Sequence, residues 1–422
     1  MAFMAHEAAH LDGEAIAFAR RRTRWALFLG VALGSTGHIA AVTVAAIVGQ
    51  NLLGNAALAG APGATVVLGA ALGAIALSSV MSRRGRRLGL TTGYLLGLVG
   101  ALVATAAVVI RSFPLLLLGT FLIGFGNASN NLSRYAAADL VSPKDRALAI
   151  GAVVWGSTIG GIFGPLLVPI ADAFAPSLHL PPLAGAYLVP IVFVSIAALL
   201  SFALLRPDPF ALAFEAHVER GHDYVATPVR EILLRPSVLA ALFALIAGQA
   251  TMTLIMTITP IHLTDHHHGL GTVGVVISAH VMGMFALAPV SGRISKRFGA
   301  LRTILLGSSV LIAASLLAAV APPERSELLL VALFLLGWGW NLGFVAGSTL
   351  LSAGVDISER TRLQGVADAV IWTTSAAASL GSGAVVAAAG YSTLGFIGVA
   401  IVLAPIWLLI SRRRAIAAAA AA

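Results

Sequence analysis

The sequence has no cysteine, and only 10% of its 422 residues are Asp, Glu, Lys or Arg. A soluble domain carries about 25% charged residues, so this chain cannot cover an ordinary water-facing surface. The missing thiols exclude a disulfide scaffold, a zinc–thiolate centre and a cysteine nucleophile. No Gly-x4-Gly-Lys-Ser/Thr run is present to cradle a nucleotide phosphate, and Gly124-Phe125-Gly126 sits inside an apolar run rather than after a strand. Enzymatic readings are correspondingly weak. Disorder is excluded by what replaces the charge, because 59% of the residues are hydrophobic.

That apolar excess is organised. Runs at 25–49, 64–81, 88–110, 115–138, 149–171 and 183–205 form one set, and runs at 238–261, 273–293, 303–320, 328–353, 363–389 and 394–410 form a second. At 1.5 Å per residue a helix of about 20 residues crosses the ~30 Å hydrocarbon core. The expected fold is therefore an all-α membrane protein with twelve transmembrane helices. Its expected organisation is a segment 1–24, a six-helix bundle 25–205, a central loop 206–237, a second bundle 238–410 and a tail 411–422. Glycine and alanine within the runs suit close packing of membrane helices. The polar start (Glu7, Asp12, Glu14) is unlike a secretory leader, so the first span is expected to act as an uncleaved insertion signal.

The net charge of +9 first suggests nucleic acid. Its distribution supports a different explanation. All basic residues but Arg111, Arg325 and Arg134 fall before span 1 or in alternate loops: Arg20–Arg24, Arg83–Arg87, Lys144 and Arg146, the central loop, Arg293–Arg302, Arg360 and Arg362, and Arg412–Arg414. Such a bias places both termini in the cytoplasm of a multi-pass protein in the cytoplasmic (inner) membrane. The basic charge is orientation information, and no nucleic-acid partner is expected. The partners are the bilayer and a small solute or metal ion.

The halves repeat. Ser82-Arg83-Arg84-Gly85-Arg86-Arg87 follows span 2, and Lys296-Arg297-Phe298-Gly299-Ala300-Leu301-Arg302 follows span 8, 214 positions later. Lys144-Asp145-Arg146 is echoed at the same offset by Ser358-Glu359-Arg360. Parallel six-helix halves joined by a loop describe the major facilitator architecture, and the chain resembles a major facilitator superfamily transporter along its whole length. That resemblance implies a gating loop, Gly-x-x-x-Asp-Arg-x-Gly-Arg-Arg. Here Arg83, Gly85, Arg86 and Arg87 match in the first copy, and Gly292, Arg297 and Gly299 in the second. Ser78 and Ser82 replace the first Gly and the Asp, and Lys296 stands at the acidic position of the second copy. Loss of the acid in both copies implies a weakened latch.

Span 5 carries Gly151, Gly160, Gly164 and Pro165, similar to the motif of drug exporters but with Val168 and Pro169 in place of its closing glycines. Close helix packing is the plainer role for such residues. The span 4 arginine of many proton-coupled exporters should stand at Thr120 and is absent. Polar residues within spans include His38, Asn127, Asn130, Asn131, Arg134, Asn341 and Asp368, the one acidic residue clearly inside a span. By resemblance, spans 1, 4, 7 and 10 line the central cavity. Asp368 could carry protons; a buried pair with a basic residue near the cytoplasmic ends fits it better. For Arg134 the alternatives are an anionic cargo or a clamp between helices.

Four of seven methionines fall between positions 252 and 284, together with five of eleven histidines. Met252-x3-Met256 on span 7 and His280-x3-Met284 on span 8 each place two side chains on one helix face. Thioether with imidazole suits Cu(I). Gap filling is the usual use of such methionines, whereas a histidine at membrane depth is costly and usually functional. The two pairs resemble the CcoA-like copper importer branch, as do Gly339-Trp340-Asn341 and Gln364-Gly365-x-x-Asp368. The resemblance implies Met252, Met256, His280 and Met284 as copper ligands, copper as the transported ion with no permanently bound cofactor, and downstream copper-delivery proteins as partners. The same branch includes riboflavin carriers. The connection His262, Asp265, His266, His267 and His268 faces outward and offers either a metal entry point or an ordinary polar turn.

The expected function is therefore a secondary transporter importing copper through a site between spans 7 and 8. The alternatives are a proton-coupled exporter of drugs or metabolites, and a riboflavin-type nutrient importer in which Trp155, Trp338, Trp340 and Trp372 matter more. A monovalent cation moving inward gains about 2.3 kcal/mol per 100 mV, so copper entry needs no proton relay.

Overall fold

The computed structural model describes residues 13–53, 61–181, 183–211, 229–268, 270–322, 324–353, 355 and 357–411. Segment 1–12, most of the central loop (212–228) and the tail beyond 411 lie outside the described residues. Twelve helices among the described residues are long and apolar enough to cross a membrane, and no strand occurs among them. Backbone groups in hydrocarbon must be satisfied within the chain, and a helix does this locally. The helices are α1 (Gly13–Leu53), α2 (Ala61–Arg84), α3 (Arg86–Val109), α4 (Phe113–Asp139), α5 (Arg146–Phe174), α6 (Gly185–Leu204), α7 (Pro236–Met256), α8 (Leu270–Phe285), α9 (Ala300–Val320), α10 (Ser326–Leu351), α11 (Ile357–Ala389) and α12 (Tyr391–Ser411).

The chain forms two compact units. The first is Met1–Ser142, Gly156–Ala226 and Ile357–Trp372, and the second is Pro143–Trp155, Thr227–Asp356 and Thr373–Ala422. The 214-residue repeat is visible in backbone geometry within each. Gly85 has φ 90° and ψ 166°, and Gly299 has φ 84° and ψ 159°. Both adopt a conformation open chiefly to glycine, at the same point of the turn. Helix approach repeats as well. A Cβ on Gly93 would stand 3.0 Å from the Phe125 carbonyl in the first unit, and one on Gly307 2.8 Å from that of Gly339 in the second.

Spans 7 and 8 read as continuous apolar runs but are interrupted. α7 stops at Met256 and a short helix Thr259–Asp265 follows; α8 stops at Phe285 and a helix Ala288–Phe298 continues it. Proline explains both breaks. Pro260 and Pro289 lack an N–H to donate to the carbonyl four residues back, which belongs to Met256 and Phe285, the last residues of α7 and α8.

Candidate functional site

In the second unit, α7, α10 and α11 assemble a buried amide–aromatic group. Gln249 Oε1 accepts from Trp340 Nε1 at 2.8 Å, while Gln249 Nε2 donates to Ser375 Oγ at 3.1 Å and Thr253 Oγ1 at 3.3 Å. Thr253 and Ser375 hydroxyls lie 2.9 Å apart. A primary amide has two donors and one carbonyl, so Gln249 is fully engaged and fixes the indole. Trp340 stacks on Phe344 at 4.5 Å between centroids and receives Phe285 edge-on at 6.1 Å. Sequence reading missed Gln249, Thr253 and Ser375; a polar trio within two apolar runs, Gln249 and Thr253 four apart on α7, was the available signal.

The next residue along α10 is Asn341, fully buried, with neither Oδ1 nor Nδ2 hydrogen-bonded among the described residues. It lies one turn beyond Gly337, where a Cβ would meet the His280 carbonyl at 2.4 Å and the Met284 nitrogen at 2.8 Å. Asn341 therefore continues the α10 face that receives α8. On the same seam His280 is buried, and its Nδ1 lies 2.9 Å from the Leu333 carbonyl. A carbonyl only accepts, so Nδ1 carries the proton and Nε2 of the neutral ring presents a bare lone pair, without a partner among the described residues.

The expected copper ligands fall on different seams. Met252 is buried and Met256 half-buried on α7, which packs mainly on α10 and α12; His280 and half-buried Met284 lie on α8, which packs on α10. Among the described residues α7 and α8 share no extended packing face. No cluster of three or more His, Asp or Glu suited to a metal occurs among the described residues. Of the connection between α7 and α8, His262 stacks on Tyr391 (4.0 Å, 9° between planes), His266 Nδ1 lies 2.7 Å from the His262 carbonyl, and Asp265, His266 and His267 are exposed, with His268 half-buried. Tyr391 is held by Thr259 at 2.8 Å. Burial and the neighbouring His266 push the His262 pKa below its ordinary value.

The first unit carries charge. Arg134 Nη2 lies 2.5 Å from Asp368 Oδ1, Tyr135 OH donates to the same oxygen at 3.2 Å, and Arg134 Nη1 donates to the Asn131 carbonyl at 2.6 Å. Asp368 is thus a buried pair and Arg134 a clamp onto α11. Tyr94 OH donates to Asn130 Oδ1 at 2.9 Å, Asn131 Nδ2 donates to the Asn127 carbonyl at 2.9 Å, and His38 Nδ1 has no partner among the described residues.

The gating loop requires a correction. Position 82 carries no acid, but the expectation that the loop goes without one does not hold, because carboxylates of Asp139 and Asp208 engage it from elsewhere. Arg86 is fully buried and donates through Nε and Nη2 to Asp139 Oδ2 at 3.1 and 2.7 Å, and through Nη2 to Gln364 at 2.8 Å. Arg360 adds a contact at 3.4 Å to Asp139 Oδ1. Asp139 closes α4 and is buried too, a second acid that sequence reading did not place inside the protein. Asp208 accepts from the main-chain nitrogens of Arg86, Arg87 and Phe210 at 2.8–3.0 Å. Its pKa is nevertheless raised, because burial outweighs those bonds. Arg83 stays exposed. In the second copy Lys296 pairs with Asp145 at 2.7 Å, and Arg297 lies over Phe298. The α5 glycines face neighbouring backbone: Gly160 and Gly164 face Ser35, Thr36 and Ala40 in the first unit, and Gly151 faces Ala288 in the second, while Pro165 lies within α5.

The Major Facilitator Superfamily model matches residues 26–262 and 241–421. The chain is 35% identical over 381 residues to the uncharacterized MFS-type transporter YdeG of Bacillus subtilis, covering 90% of this chain and 89% of that one. It is 31% identical over 412 residues to the riboflavin transporter RfnT of Brucella anthropi, covering 96% and 99%. Among solved structures, the human organic anion transporter MFSD10 aligns with TM-score 0.71 at 18% identity over 92% of this chain and 99% of that one.

Proposed function

The chain belongs to the major facilitator superfamily of secondary transporters, and we propose that its cargo is a planar, hydrogen-bonding organic nutrient of the flavin kind, recognised in the second unit and carried inward. The observation that carries this reading is Asn341, a buried amide with both polar atoms unpartnered among the described residues, next to the fixed indole of Trp340. A primary amide pairs edge to edge with a heterocycle offering N–H beside C=O, and aromatic faces add about 0.5–1.5 kcal/mol per stacked pair. The resemblance over nearly full length to a riboflavin transporter points the same way. Access to a buried Asn341 comes from helix parting, the motion of alternating access. The arginine distribution supports cytoplasmic termini in the cytoplasmic membrane.

Copper import remains as a second reading, favoured by His280: a ring whose Nδ1–H is held by a carbonyl and whose Nε2 is bare is oriented as metal-ligating imidazoles are. Riboflavin and copper uptake in cells expressing the wild type, Asn341→Ala and His280→Ala decide between them. The flavin reading expects riboflavin uptake above the empty vector, abolished by Asn341→Ala. Copper uptake that depends on His280, with no riboflavin uptake, would replace it; neither uptake would remove both.

A further inference from the structure

The arginine-rich face of the first unit carries cations that neither the latch nor the cargo site uses. Arg86 is consumed by Asp139 and Gln364. Its neighbour Arg87 turns the other way and lies 4.8 Å from the centroid of the Phe202 ring on α6. Arg206 lies over the same ring at 5.4 Å, so the two guanidinium carbons are within about 10 Å of each other. Arg22 of α1 donates to the Arg206 carbonyl and itself lies 5.8 Å from the Phe18 centroid. Three guanidiniums from three segments thus form one continuous patch with two aromatic rings.

Two features make this patch a site rather than a scatter of positive charge. None of Arg22, Arg87 and Arg206 forms an ion pair among the described residues, and the Nε atoms of Arg22 and Arg87 are shielded from solvent with no acceptor there. The carboxylate packed beside them, Asp208, is turned to the main-chain nitrogens of Arg86, Arg87 and Phe210. Like charges held this close call for a counter-anion with several acceptor oxygens. The rings beside them, Phe18 and Phe202, are 56% and 44% exposed, and Trp25 further along α1 is 61% exposed, all on helices that span the bilayer. An anion bearing acyl chains fits both halves of the patch, polar and apolar. A free phosphate fits only the polar half.

We propose that Arg22, Arg87 and Arg206 bind the headgroup phosphate of an anionic phospholipid, whose chains lie along Phe18, Trp25 and Phe202. The site is independent of the cargo. Basic clusters beside membrane helices attract anionic lipid with about fivefold in affinity per charge.

The test is native mass spectrometry and thermal unfolding of the purified full chain, titrated with phosphatidylglycerol, phosphatidylcholine or inorganic phosphate. The wild type is expected to retain phosphatidylglycerol over phosphatidylcholine and to be stabilised by it, while phosphate at equal concentration does neither. Exposed Arg206→Gln should lower retention about fivefold, and the triple Arg22→Gln, Arg87→Gln, Arg206→Gln roughly a hundredfold, if the charges act additively. The matching triple lysine variant should keep most of it, which separates lost charge from lost fold, and exposed Arg302→Gln in the second unit should change nothing. Equal retention of both lipids by the wild type, unchanged retention in Arg206→Gln, or displacement of the lipid by phosphate would each overturn the proposal.

Discussion

Arg134 Nη2 lies 2.5 Å from Asp368 Oδ1, joining positions 234 apart in sequence within one compact unit. Both side chains are 2% exposed. At that depth a guanidinium left without its partner is an uncompensated buried charge, so removing one member costs more than removing both; breaking a buried pair costs about 3–5 kcal/mol. Asp368→Asn should lower the unfolding temperature of the detergent-purified chain markedly, and the double variant Arg134→Gln, Asp368→Asn should regain at least half of the loss. Equal losses in the two variants would show that the pair is not the source of the effect.

Gly365 on α11 replaces, in space, the glycine missing from the gating loop. A Cβ at Gly365 would lie 1.9 Å from Ser78 Oγ and 2.7 Å from the Ala74 carbonyl. Ser78 occupies the place of the family's first glycine, and the room for close approach has moved to the facing helix. Gly365→Ala should therefore destabilise the chain by about 1–3 kcal/mol as overpacking. Adding Ser78→Gly should recover part of that in the same thermal assay, the remainder staying with the Ala74 carbonyl, which no side-chain change removes.

This exchange shows what could be read in advance and what could not. Twelve spans, the 214-residue repeat and the turn glycines at 85 and 299 were legible because apolar run length and glycine act locally. The acid of the latch was not, because Asp139 at the end of α4 and Asp208 beyond α6 reach Arg86 and its neighbours from 53 and 122 positions away. The breaks in spans 7 and 8 were readable from Pro260 and Pro289 but hidden by unbroken hydropathy. His280 and Asn341 stand out in the sequence as polar groups at depth, yet the seam they share between α8 and α10 depends on packing. The hub at Gln249 escaped because Ser375 and Trp340 complete it from helices 126 and 91 positions away, and only packing brings them to the Gln249–Thr253 face.

The two turn glycines share a conformation but not surroundings. A Cβ at Gly85 would meet Asp208 Oδ2 at 2.3 Å, whereas one at Gly299 meets nothing within 4 Å. At φ near 90° with extended ψ, the backbone alone costs a side chain about 1–3 kcal/mol. Gly299→Ala should show that loss alone, and Gly85→Ala should show it plus displacement of the carboxylate that caps α3. Chemical or thermal denaturation of the two variants should rank Gly85→Ala as the worse; equal losses would mean that Asp208 yields freely.

His262 stacks on Tyr391 at 4.0 Å, and its pKa is held below the ordinary 6.5 by burial and by His266. A group whose pKa is lower in the folded state contributes stability that is complete above its unfolded pKa and is lost as pH falls toward the folded value. The wild type should thus lose unfolding temperature as pH falls below about 6.5, and His262→Gln should flatten part of that slope. A slope unchanged by the substitution would assign the acid sensitivity to other groups.

Gln249 meets the cargo site through Trp340, so its removal tests positioning rather than contact. Gln249→Leu strands the Trp340 N–H, and a buried donor left unsatisfied costs about 1–3 kcal/mol. The indole is then free to turn, and under the flavin reading the KM for riboflavin uptake should rise by about tenfold, equivalent to ~1.4 kcal/mol of recognition. Thr253→Val removes one bond from the same group and leaves Trp340 held by Gln249, so its KM should move much less. If both variants raise KM equally, the hydroxyls rather than the indole position the cargo. If Gln249→Leu lowers stability and leaves KM unchanged, the amide only holds α7, α10 and α11 together.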